Sequence, residues 1–178
     1  GEKNSGAVAR NYGASLVKTE LIAFLDDDVV LDKNYYETIL DIFLKNRNVV
    51  GAQGLDSALV ESYEKTSSSF FGRMGLLIEN MFEHSFIIKN NSSELRPSLA
   101  VTHPIPTSNF CIESQWVSTC AGVFKTELFD EIEFPKNFVK YSWNEYVFFS
   151  YSIYKRKLGK MFYTSYATYR NIDTDAGR

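Results

Sequence analysis

Leu21-Ile22-Ala23-Phe24-Leu25-Asp26-Asp27-Asp28 sets five apolar residues in a row against three aspartates. An apolar run with no polar alternation suits a strand buried on both faces, as parallel sheets require. On its N-terminal side, Asn4 or Ser5 is a helix cap, and Val8, Tyr12 and Leu16 recur at four-residue spacing. That spacing predicts a helix over 6–17 with those three side chains on one face. On the C-terminal side, Asn34 opens a second amphipathic helix with Tyr36, Ile39, Leu40 and Phe43 inward. Residues 48–52 read as another strand, with Gly54 just beyond it. Helix, strand, helix, strand at this pitch is α/β logic with parallel pairing.

From 55 to about 107 the pattern weakens. Ser67-Ser68-Ser69 and Asn90-Asn91-Ser92-Ser93 are loop signals. Between them Phe70, Phe71, Met74, Leu77, Ile78 and Met81 form an apolar helical stretch without a clear polar face. Such a stretch reads as buried core, with a membrane-surface helix as the alternative. Regular pattern returns with a strand over 116–125 and a short helix over 126–131. A helix over 145–157, closed by Gly159, and strands over 161–164 and 167–170 follow. No repeat or linker divides the chain, which reads as one domain over 1–178.

Composition narrows the function classes. The net charge of −3 and 23% charged residues exclude a basic nucleic-acid surface. Cys111 and Cys120, without a CxxC pair and with few histidines, exclude a disulfide framework and make zinc chemistry a poor fit. Asn90 and Asn91 each start an Asn-x-Ser triplet, but no signal peptide accompanies them. No apolar run approaches the roughly 20 residues of a membrane span. The chain is expected to be cytoplasmic, with membrane association left to the 70–82 stretch.

Three adjacent aspartates repel one another unless a cation sits among them. Open α/β sheets bind ligands at the carboxyl ends of their strands, which is where this cluster falls. Hard divalent ions such as Mg²⁺ or Mn²⁺ prefer carboxylate oxygens and bridge to substrate phosphates. A cation on Asp26 and Asp28 would hold a diphosphate and stabilise it as a leaving group. The plainer reading is a solvated cap for the next helix. An aspartate after a strand also suits phosphoaspartate chemistry, a weaker alternative that leaves the flanking motifs unused.

The wider string carries a resemblance. Gly6-Ala7-Val8-Ala9-Arg10-Asn11-Tyr12-Gly13, followed by Glu20-Leu21-Ile22-Ala23-Phe24-Leu25-Asp26-Asp27-Asp28, is similar to the pattern "ARN-x-G … E-x-I-x-F-L-D-x-D". That pattern is found in GT-A, family-2-like glycosyltransferases. The resemblance implies a Rossmann-like mixed sheet flanked by helices and a nucleotide-diphosphate sugar as donor. It implies that Asp28 is the chief ligand of Mg²⁺ or Mn²⁺, with Asp26 and Asp27 near ribose, diphosphate or metal. Arg10 and Asn11 would line the donor pocket. The halves then read as 1–54 for donor and metal, 55–115 as a variable region, and 116–178 for the acceptor.

Two further segments extend the match. Trp116-Val117-Ser118-Thr119-Cys120-Ala121-Gly122-Val123-Phe124-Lys125 resembles the strand lining the family's acceptor site, and the small Ala121 and Gly122 would let a sugar approach the backbone. Residues 141–153 resemble "G-x-E-D-x-x-x-S-Y-R-hydrophobic", which puts Trp143 and Asn144 on the acceptor side and makes Glu145 the general base. Apart from the family, Glu145 is a helix N-terminal carboxylate favoured by the dipole. Tyr146 stands where the family's Asp is expected, Ser152 where its Arg is, and Asn171 where a metal-binding His often lies. A phenol with a reference pKa near ~10 is no base at neutral pH. The departures leave a non-catalytic nucleotide-sugar or partner-binding module as the alternative to an inverting, metal-dependent transferase.

Family members begin with a further βαβ portion that holds the nucleobase, and the pattern here starts after it. The expectation is therefore a core lacking that portion, with exposed sheet surface that favours self-association. The acceptor is expected to be a carbohydrate or lipid-linked hydroxyl.

Overall fold

The structure is a computed structural model that describes residues 5–72, 74–75, 92–96, 100–104, 108–137 and 144–172. In chain order the elements are α1 (Gly6–Leu16), β1 (Leu21–Ala23), β2 (Val29–Leu31), α2 (Tyr35–Lys45), β3 (Val49–Asp56) and α3 (Ser57–Ser68). They continue with β4 (Cys111–Ser114), β5 (Val123–Lys125), α4 (Leu128–Glu131), α5 (Glu145–Arg156) and β6 (Lys160–Asn171). The strands form one mixed sheet in the order β1-β5-β3-β6-β2, with β4 also on β6. The α/β reading holds, but the expected side-by-side pairing of β1 and β3 does not. β5 lies between them, antiparallel to both, and the parallel contact is β3 with β6. A short antiparallel strand inserted between two parallel ones leaves no local trace in sequence.

β3 is the central strand, buried along nearly its whole length. Val50 enters one core and Val49 and Ala52 another, while Leu55 joins a smaller third cluster with Phe110, Trp116 and Tyr163. One face packs Val50, Phe124 and Met161 against Ala7 and Ala14 of α1, Leu128 of α4, and Phe149 and Ile153 of α5. The other packs Val49, Ala52, Val123 and Tyr169 against Tyr35, Ile39 and Ile42 of α2. The first core holds an aromatic nest in which Phe149 stacks on Phe134 at 4.2 Å and on Phe129 at 5.2 Å.

Neither amphipathic helix buries the whole apolar face read from its spacing. In α1, Ala7 and Ala14 are buried while Tyr12 and Leu16 are 67% and 62% exposed, because small residues let the helix lie close to the sheet. In α2, Tyr35, Ile39 and Ile42 are inside, and Tyr36 and Leu40 are exposed. Apolar residues cover so much of this helix that the sequence leaves its phase open.

β3 runs two residues beyond Gly54, and the two predicted final strands are one. Between Thr164 and Thr168 the β3–β6 register shifts, and residues of the bulge bond elsewhere. The Ser165 amide donates to the Phe110 carbonyl at 3.0 Å, and the Phe110 amide donates to Ser165 Oγ at 2.8 Å. The predicted 116–125 strand is regular only over β5. α5 ends on Lys157 in the left-handed region (φ 55°), ahead of Gly159.

The expectation of a buried 70–82 stretch fails where it is described. Phe70 and Phe71 are 75% and 80% exposed, and Met74 is exposed too. Its remainder over 76–82 lies outside the described residues. Among the described residues, no helix is long and apolar enough to cross a membrane.

Candidate functional site

The acidic turn hangs from the end of β1. Beyond the strand the Phe24 amide donates to the Gly122 carbonyl at 2.9 Å and the Asp26 amide to the Cys120 carbonyl at 3.1 Å. The chain then reverses into β2, and the Asp28 carbonyl accepts from the Ile172 amide at 2.6 Å. These bonds place the aspartates where β1 and the end of β6 converge. Asp27 is exposed; Asp26 and Asp28 are half-buried.

Arg10 connects this turn to the far end of the sequence. α1 begins at a Ser5 cap whose Oγ accepts from the Val8 amide, and Arg10 lies on its second turn. One guanidinium nitrogen, Nη2, sits 3.1 Å from Asp26 Oδ1. The other, Nη1, pairs with Oε1 of Glu145. Glu145 opens α5, where the helix dipole favours a carboxylate. Its side chain is only 3% exposed, so its charge is compensated by Arg10 out of water. A methyl on Gly6 would stand 2.8 Å from Nη1 and 3.1 Å from Oε1. The glycine is what lets the pair nest against α1.

Other expected site residues are committed elsewhere. Asn11 accepts from the Phe134 amide and donates to the Phe134 carbonyl, both at 2.8 Å. Its amide braces the chain after α4. Gly122 is buried, and a Cβ there would meet the Ser118 carbonyl at 2.1 Å. The chain's own backbone thus makes a close approach that requires glycine here. The Ala121 carbonyl accepts from Tyr35 Oη at 2.7 Å. Asn144 is exposed at the entry to α5, and Trp143 lies outside the described residues. Asn171 does reach the neighbourhood of the turn: it is paired in register with Val29, and Nδ2 donates to Asp56 Oδ2 at 3.2 Å.

Three residues near the site escaped the sequence reading. Asp56, at the carboxyl end of β3, caps α3 by accepting from the Ala58 amide at 2.9 Å and also holds Asn171. His103 packs edge-on against Trp116 with ring centres 4.9 Å apart, and Nδ1 lies 3.4 Å from Tyr163 Oη. Burial depresses its basicity, an effect the nearby Asp56 opposes. Cys120 adjoins Asp26; burial pushes its thiol up to about 11, and the neighbouring carboxylate adds to the rise. Nothing in local spacing distinguishes these residues. Tyr146 packs against Trp116, and burial raises its phenol pKa further above neutrality.

Among the described residues no group of three or more His, Cys, Asp or Glu is arranged to hold a metal. Mg²⁺-type ions, however, bind through one or two carboxylates plus substrate phosphates and water. Asp28, half-buried at the turn, with Asp26 two residues away, fits that smaller donor set.

The family model described as "Glycosyl transferase family 2" matches residues 1–105. Among curated proteins nothing matches at a significant level. Among solved structures, GalNAc-T7 crystallised with UDP, GalNAc and Mn²⁺ is similar, with a TM-score of 0.61 and 13% identity. The match covers 94% of this chain, which spans 30% of that protein. A197 from STIV gives a TM-score of 0.52 at 15% identity, covering 97% of this chain and 70% of that one. The mixed sheet flanked by helices is thus the GT-A glycosyltransferase fold, and on its family match the chain belongs to glycosyl transferase family 2.

Proposed function

We propose that this chain transfers a sugar from a nucleotide-diphosphate sugar to a hydroxyl acceptor, with inversion and with the aid of Mg²⁺ or Mn²⁺. The observation that carries the reading is the Arg10 bridge, which brings the acidic turn and Glu145 to one point from 119 residues apart (145 − 26). Asp28, helped by Asp26, would hold the ion, which when bound neutralises the charge of the departing diphosphate. Arg10 supplies a second cation, and its planar fork matches phosphate oxygens. The acceptor oxygen attacks the anomeric carbon as the bond from that carbon to the diphosphate breaks; holding the two in line is the main contribution asked of the protein. The hydroxyl proton passes to the Glu145 carboxylate, since half-buried Tyr146, its phenol pKa raised by desolvation, cannot take it at neutral pH. Exposed Phe70, Phe71 and Met74 favour a lipid-linked acceptor over a free sugar. The UDP and Mn²⁺ of the GalNAc-T7 structure make UDP the first donor fragment to try.

The second reading, a binding module without chemistry, is favoured by Tyr146 and Asn171 in place of the expected Asp and His. Calorimetric titration of the full chain with UDP, GDP and CDP, with and without Mn²⁺, tests both. We expect Mn²⁺-dependent binding that Asp28→Asn weakens at least ~10-fold. Binding without transfer or hydrolysis of any corresponding sugar nucleotide selects the module. Absence of binding to every diphosphate in both conditions removes the transferase reading altogether.

A further inference from the structure

Arg10 serves two masters of unequal exposure. The Asp26 side chain is 35% exposed and that of Glu145 3%, with the guanidinium of Arg10 (23%) between them. While Nη1 holds Glu145, that carboxylate is sealed from any acceptor and half of the guanidinium is withheld from any phosphate. Both tasks assigned above therefore require the same ion pair to open. A diphosphate arriving at the turn with a divalent ion changes the balance in two ways. The ion compensates Asp26, weakening its hold on Nη2, and the phosphates offer the guanidinium a bidentate anion in place of two separate carboxylates.

We propose that Arg10 is a donor-operated latch: it pairs with Glu145 in the empty site and moves to the diphosphate when donor binds, which uncovers Glu145 for the acceptor. Arg10 is thus a positioning residue that imposes an order, donor before acceptor. This inference rests on the donor site proposed above. Its thermodynamic consequence is specific. Glu145 competes with the donor for Arg10, so removing the charge of Glu145 tightens donor binding although Glu145 never touches the donor. Closure of the latch reduces apparent affinity by the fraction of molecules held in the pair. Gly6 provides a second handle that leaves all charges in place, since a methyl there would crowd Nη1 and Oε1, not the Asp26 contact.

The experiment is calorimetric titration of UDP with Mn²⁺ into the wild-type chain and four variants, each checked for folding by thermal melting. Glu145→Gln, nearly isosteric, is expected to bind about 5- to 10-fold more tightly by this population argument, and Gly6→Ala to shift in the same direction. Arg10→Gln is expected to bind more weakly, and Arg10→Gln/Glu145→Gln to match Arg10→Gln, because no latch remains to release. A folded Glu145→Gln that binds UDP as the wild type does, or less well, overturns the latch and leaves the pair a structural brace. Should Glu145→Gln fail to fold, Gly6→Ala decides alone on the same criterion. If the wild type binds neither UDP nor GDP nor CDP, the donor site itself is wrong, an outcome separate from failure of the latch.

Discussion

Asn11 follows Arg10 directly, yet the helix turns the two side chains to different work. Arg10 points to the acidic turn, and Asn11 clasps the backbone of Phe134 through a donor and an acceptor. Phe134 is fully buried in the aromatic nest, so its amide and carbonyl have little water to turn to. Stranding buried backbone groups costs about 1–3 kcal/mol. Asn11→Ala is therefore expected to lower stability by about 2 kcal/mol, with no change in affinity for UDP and Mn²⁺ beyond twofold. Urea denaturation and calorimetry on the same sample check both halves. A large loss of UDP affinity in a folded Asn11→Ala would return Asn11 to the donor pocket, where the family resemblance placed it. The string around Arg10 was legible as a motif because its residues are neighbours in sequence. That Arg10 meets Glu145 while Asn11 meets Phe134 was not, since neither partner lies within 100 residues.

Elements show the same boundary between local and distant information. β1 could be recognised because five apolar residues end at three charges, and each helix because its cap and spacing are local. Which side of α2 faces inward could not, because Tyr35, Tyr36, Ile39, Leu40, Ile42, Phe43 and Leu44 all present apolar surface. The structure decides the phase with a polar tie. The Tyr35 hydroxyl donates to the Ala121 carbonyl at 2.7 Å and accepts from the Gly54 amide at 2.8 Å, joining α2, β3 and the segment before β5. Burial raises its phenol pKa well beyond the usual range, so it stays a neutral donor. Tyr35→Phe keeps the ring and strands both backbone groups, an expected loss of about 2–3 kcal/mol. Tyr36→Phe, at 41% exposure, is expected to stay within about 0.5 kcal/mol of wild type. Paired urea denaturation of the two variants tests the assignment, and equal effects would mean that the helix phase is wrong.

At the scale of the molecule, the proposed donor half and acceptor half are not separate units of the sheet. Among the described residues, β1, β2 and β3 make no ladder with one another. β1 is held by β5, β2 by β6, and β3 by β5 and β6. Every strand of the first 56 residues thus waits for partners beyond residue 120, and both cores draw on both ends of the chain. Residues 1–105, which carry the family match, contain the acidic turn and Arg10 but none of the strands that complete the sheet. Pairing at such separation means that loop closure is opposed by entropy before any contact compensates it, which slows folding and couples the halves. Unfolding in urea is therefore expected to give one transition, with far-UV circular dichroism and tryptophan fluorescence coinciding. A chain ending at residue 110 is expected to lack a cooperative melt. If that shortened chain melts cooperatively, or if the two probes separate in the full one, the interleaved sheet does not govern stability and the donor half folds by itself.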